Sequence, residues 1–157
     1  MMFEGIEGEI KRRQLRRDYP SFVQFVNEDF CMTKFHNYVC SEVQEFLSVK
    51  TGKAFDILLL SVPPRHGKSH MVTETLPVWF LGNNPKGEVI LCSYQSTFAE
   101  GFSKICRDKF NKFAGPIFKQ DFDKSLQRAE LWATEAGGRC RAAGLDAGIT
   151  GFGADLF

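Results

Sequence analysis

No stretch of the chain is apolar for long enough to cross a bilayer: the longest run, residues 57–60 (ILLL), is far short of the roughly 20 residues a spanning helix needs. Residues 1–19 carry a basic run with no apolar stretch behind it, so a secretory signal is not expected. The cysteines Cys31, Cys40, Cys92, Cys106 and Cys140 are odd in number and far apart, and no C-x-x-C pair occurs. That pattern argues against a disulfide framework and a zinc knuckle, and for buried thiols in a reducing cytosol. Neither sign of charge dominates: 20 Lys+Arg against 19 Asp+Glu leave +1, so any nucleic-acid contact has to come from a local patch. Internal repeats, linkers and low-complexity tracts are absent too. What is present is core material: of 157 residues 43% are apolar and 16 are Phe, which excludes a disordered chain and predicts one soluble, intracellular globular unit.

Three helices are expected before the first strand. Residues 9–18 (EIKRRQLRRD) are good helix formers with a solvated charged face. Pro20 is placed to open a second helix carrying Phe22, Val23, Phe25, Val26 and Phe30, and Thr33 to cap a third that runs to about Lys50 and ends at Gly52. Residues 56–62 (DILLLSV) read as a strand buried on both faces of a parallel sheet. A loop, PPRHG, leads into a helix from about Lys68, which Pro77 should kink or end. Residues 88–94 (EVILCSY) read as a second buried strand, Ser96 or Thr97 opens a further helix, and residues 130–134 and 139–142 form a hairpin around Gly137 and Gly138. Residues 149–153 are a glycine-punctuated loop, and residues 154–157 open another apolar strand.

The informative segment is Val62-Pro63-Pro64-Arg65-His66-Gly67-Lys68-Ser69. A G-K-[ST] triplet that opens a helix directly after a buried strand suits a triphosphate: backbone N–H groups point at phosphate oxygens, the lysine neutralises them and the serine hydroxyl binds Mg²⁺. The first glycine of the general pattern would fall at position 62, which is Val62, and two prolines stiffen the loop. His66 and His70 lie four apart, but no carboxylate or third ligand accompanies them as a metal site would require.

PPRHGKS after DILLLSV, an upstream Phe35-His36 pair, Pro77, Trp79, Leu81, Gly82 and Pro85 in a P-x-W-x-L-G-x-x-P stretch, a strand ending Ser93-Tyr94, and the ITGFGADL run together resemble the N-terminal ATPase domain of the large terminase subunit of tailed bacteriophages. The resemblance runs from about Tyr19 to the last residue, and in that family the phosphate loop is similarly deviant. It implies an α/β P-loop NTPase fold of the additional-strand, RecA-like type, with a parallel central sheet flanked by helices and incomplete at its C-terminal side. Residues 1–54 would be an N-terminal helical region and residues 55–157 a partial ATPase core, with the nuclease domain absent. It further implies ATP-driven packaging of double-stranded viral DNA by a homo-oligomeric ring in the cytoplasm of a bacterial host, with the terminase small subunit and the portal protein as partners and no membrane. Carried over by residue, Pro64, Arg65, His66, Gly67, Lys68 and Ser69 would hold ATP, with Lys68 on the β and γ phosphates, Ser69 on Mg²⁺ and Arg65 a second cation near the γ-phosphate. His36 would stand near the adenine.

Two departures matter. Relatives carry an arginine where this chain has Thr150, which leaves Arg139 and Arg141 as the nearest arginine-finger candidates. The acidic pair that follows G-A-D-L in the family has no counterpart up to Phe157, and Asp155 belongs to the lead-in, so nucleotide binding with poor hydrolysis is the expectation. Rival readings are another P-loop motor and a non-catalytic prophage remnant or interaction fragment.

Overall fold

The computed structural model describes residues 3–49, 51–145, 151 and 153–157. Helix α1 (Gly5–Arg17) leads through Asp18, whose carboxylate accepts the Ser21 N–H at 2.9 Å, into α2 (Tyr19–Val26), with Pro20 in its first turn where a missing N–H costs nothing. Helix α3 (Lys34–Ser48) follows. A π-helical turn (Ser69–Thr73) and α4 (Leu76–Asn83) lead to strand β1 (Glu88–Ser93). Helix α5 (Ser96–Phe113) and a second π-helical turn (Ala114–Phe118) precede β2 (Phe122–Gln127), β3 (Leu131–Thr134) and β4 (Arg139–Gly144).

The sheet is four-stranded and mixed, in the order β1-β4-β3-β2. Strand β4 runs parallel to β1, with Val89 opposite Cys140 and Leu91 opposite Ala142, and antiparallel to β3, which pairs antiparallel with β2. The structure is therefore α/β with helices flanking the sheet, but the sheet is not the parallel one expected. The 131–144 hairpin folds back on β1, so that among the described residues parallel geometry is carried by the β1–β4 pair and a bridge from Val89 to Leu156. Helix α5 buries Ala99, Ser103, Cys106, Phe110 and Phe113, a helical stripe, onto this sheet. There Phe110 and Phe122 pack around the fully buried Trp132, with ring centroids 5.3 and 5.5 Å from it. One core joins the elements before and after residue 55: Leu15, Tyr19, Phe22 and Val43 are buried together with Met71, Val78, Phe110 and Trp132.

The strand expected at residues 56–62 does not form. The segment is extended but unpaired, with Ile57 78% and Leu59 88% exposed. An apolar run reports a tendency to be buried, whereas a strand also needs a neighbour for its backbone N–H and C=O groups. Among the described residues that neighbour is missing: the free edge of β1 is taken by Leu156, and the 54–60 segment faces Leu156 and Phe157 across an apolar cleft of about 590 Å³ floored by Val43, Leu47, Val72 and Leu76. Helix α2 also ends earlier than expected. The Asn27 side-chain amide donates to the Val23 carbonyl at 2.8 Å, and Phe30 leaves the helix through a turn closed by its N–H on the Asn27 carbonyl at 2.9 Å. Among the described residues, no helix is long and apolar enough to cross a membrane.

Candidate functional site

Residues 62–70 and Phe30 line a cleft of about 590 Å³. Its backbone is unusual. Arg65 has φ +63° and Gly67 φ +73°, while Lys68, which opens the helical turn, has φ −51°. A non-glycine residue in the left-handed region costs about 1–2 kcal/mol, so Arg65 holds stored strain. Alternation of left- and right-handed residues turns successive N–H groups toward one concavity, the arrangement that binds anions.

The loop is buttressed from behind by residues of the N-terminal helical region. Phe30 sits between His36 and His70, with ring centroids 4.8 and 5.4 Å away. A β-carbon on Gly67 would overlap the Phe30 ring and lie 3.4 Å from His36 Nε2. Glycine is thus demanded twice at position 67, by its φ and by this approach. His36, near the start of α3, accepts the Thr33 N–H on Nδ1 at 3.0 Å, so its neutral ring carries the proton on Nε2, the atom facing the Gly67 turn. That placement puts His36 beside the loop backbone. The ring of Phe35 stands edge-on to His66, 6.4 Å away.

The other expected residues fall as follows. His66 donates from Nδ1 to the Pro64 carbonyl at 2.9 Å, a bond within the loop. Lys68 is exposed and Ser69 half-buried; neither side chain, nor that of Arg65, hydrogen-bonds or ion-pairs among the described residues, which leaves all three available to a ligand. His70 turns away from any pairing with His66, because its Nδ1 donates to Glu74 Oε2 at 2.9 Å. No three His, Cys, Asp or Glu side chains converge among the described residues. Arg139 starts β4 and pairs with Glu88 at 3.7 Å, Arg141 lies in the middle of the same strand opposite Ile90, and neither lines the loop cleft. Thr150 lies outside the described residues. Asp155 is occupied at the β1 edge, where its carboxylate accepts the Glu88 N–H at 2.8 Å.

Sequence reasoning missed the polar cluster beneath the loop. Lys109 of α5 donates to Asn27 Oδ1 at 2.6 Å and Thr75 Oγ1 at 3.2 Å, and stands 3.6 Å from Glu74. Burial pulls its ammonium below the ordinary lysine range, and the Glu74 carboxylate opposes that shift. The available signal was the placement of Lys109 at helical spacing beside Cys106 and Phe110, both of which α5 buries. Tyr19 was also missed. Its ring is fully buried against Trp79 at 5.1 Å and its hydroxyl donates to the Met71 carbonyl; burial pushes the phenol well above its ordinary pKa, so it remains a donor. Comparison of the chain with protein-family models, with curated proteins and with solved structures returns no match.

Proposed function

We propose that this chain is a nucleotide-binding domain of the P-loop type, of the kind found in the large terminase subunit of tailed bacteriophages. The observation that carries the reading is the loop backbone: Arg65 and Gly67 have left-handed φ and Lys68, which opens the turn, is right-handed, all three lining one cleft, and paired left- and right-handed residues are the kind of backbone that presents N–H groups to an anion. A strained, cationic, glycine-dependent loop whose Lys68, Arg65 and Ser69 side chains have no hydrogen-bond or ion-pair partner among the described residues suits a polyphosphate better than it suits a plain connection. ATP would be held by the backbone of residues 64–69, with Lys68 and Arg65 on phosphate oxygens and the Ser69 hydroxyl on Mg²⁺. Bound Mg²⁺ would neutralise charge on the phosphates.

Among the described residues that line the cleft there is no Asp or Glu, and we expect hydrolysis near background where no carboxylate activates water. Packaging of double-stranded DNA, an oligomeric ring, a small-subunit partner, a portal and residence in a bacterial host belong to the reading through the sequence resemblance alone. The test is calorimetric titration of ATP-Mg²⁺ into the wild type and Lys68→Ala, with phosphate release followed on the same samples. Binding that is lost in Lys68→Ala supports the reading. Equal absence of binding in two folded proteins favours a non-catalytic interaction fragment instead.

A further inference from the structure

The helical turn that follows the phosphate loop is short and wide, and its sequence explains why. Pro77 has no N–H, so the Thr73 carbonyl four residues earlier cannot receive the bond that would continue an α-helix. The Met71 N–H still reaches the Gly67 carbonyl at 3.0 Å, but the Glu74 N–H bonds the Ser69 carbonyl, five residues back, at 2.8 Å. The last carbonyls of such a turn need donors from elsewhere. Thr75 Oγ1 donates to the His70 carbonyl at 2.6 Å, the Cys106 thiol of α5 donates to the Thr73 carbonyl at 3.2 Å, and the Tyr19 hydroxyl of α2 donates to the Met71 carbonyl. In a regular α-helix the Met71 carbonyl would instead belong to the Thr75 N–H.

We propose that Tyr19 is a positioning residue for the phosphate loop: its hydroxyl fixes the widened register of the Ser69–Thr73 turn and so the direction in which Lys68 and Ser69 face the cleft. Its consequence for binding rests on the nucleotide reading above; its effect on the turn does not. Without the hydroxyl, the Met71 carbonyl becomes available to the Thr75 N–H, and a slip of one residue rotates the loop side of the turn by about 100° relative to α4. Tyr19→Phe removes the donor while keeping the ring on Trp79.

The test compares wild type, Tyr19→Phe and the core control Ile117→Val by ATP-Mg²⁺ calorimetry at a temperature where all are folded, together with the amide resonances of Lys68 and Ser69 without nucleotide. Tyr19→Phe should bind about tenfold more weakly, with both amides shifted, while Ile117→Val does neither. Wild-type affinity in Tyr19→Phe, or unmoved Lys68 and Ser69 amides, would overturn the proposal. Should Tyr19→Phe fail to fold, the same measurements on Cys106→Ala and Cys106→Ser decide it at the neighbouring carbonyl. The hydroxyl of Cys106→Ser should restore what Cys106→Ala loses, and equal behaviour of the two would overturn the assignment. A wild type that binds no nucleotide would sink the nucleotide reading, and the amide shifts would still decide whether Tyr19 sets the turn.

Discussion

Replacement of Gly67 by alanine is the sharpest test of the loop geometry, because two separate costs fall on one added methyl group. At φ +73° an alanine meets left-handed strain of about 1–2 kcal/mol. Its β-carbon also overlaps the Phe30 ring, which must move from its places beside His36 and His70; each such ring contact is worth about 0.5–1.5 kcal/mol. Against these stands a gain of about 0.4–1 kcal/mol from the stiffer unfolded chain. The net expectation is a loss of about 2 kcal/mol, or about 4–8 °C in Tm for a chain of this size. Thermal denaturation followed by circular dichroism measures it, with Gly101→Ala as control. Gly101 sits inside α5 with nothing near the added methyl, and there alanine should stabilise by about 0.5–1 kcal/mol. In Gly67→Ala/Phe30→Ala the steric part should vanish, so the double variant should lose less than the sum of the singles. A Gly67→Ala protein as stable as wild type would refute both the left-handed backbone and the Phe30 approach.

Other outcomes follow from the same structure. Arg65→Gly should leave stability within about 1 kcal/mol of wild type, since relief of left-handed strain offsets the added backbone freedom, while weakening ATP binding through the lost cation; calorimetry and melting together check this. Asp18→Ala removes the bond that caps α2 and should lower stability by about 1 kcal/mol in urea denaturation. Burial pushes the Cys140 thiol up to about 12 from 9.0, so its contribution to stability is full below about pH 9 and is lost as pH rises toward 12, where an unfolded thiol ionises and the buried one does not. Cys140→Ala should therefore flatten the fall of stability across that window by about one proton, as read from denaturation midpoints against pH.

What could be read from the sequence followed from local chemistry. Good helix formers pointed to α1, Pro20 and Thr33 to α2 and α3, and the Gly137-Gly138 turn announced the β3–β4 hairpin; α5 opens at Ser96 as expected, but of the side read as apolar, Phe98, Phe102, Ile105, Cys106, Lys109 and Phe110, the structure buries Cys106 and Phe110 and exposes Phe98 and Ile105. Strand β2 was illegible because FDKSLQ carries no clear alternation; it is a half-exposed edge made by pairing with β3. Residues 56–62 failed in the opposite sense: their apolar run reads as a strand, but pairing is not encoded in composition. At the site, G-K-S pointed to the cleft, and Pro77 pointed to an early end of the helix. The left-handed Arg65 had no local signal, since that conformation is rare outside glycine, Asn and Asp. Phe30 reads as an ordinary core aromatic of the second helix and Tyr19 carries no signal of its own, and their contacts with Gly67 and Met71 arise from tertiary packing.

The central claim is that the backbone of residues 65–69 forms an anion cradle, and the most direct measurement is amide chemical-shift mapping of the folded protein during ATP-Mg²⁺ titration. The account predicts saturable shifts concentrated at Arg65, His66, Gly67, Lys68 and Ser69, and their loss in Lys68→Ala. A wild type that is folded and shows no saturable shifts in those amides, or shows them only elsewhere, would contradict it.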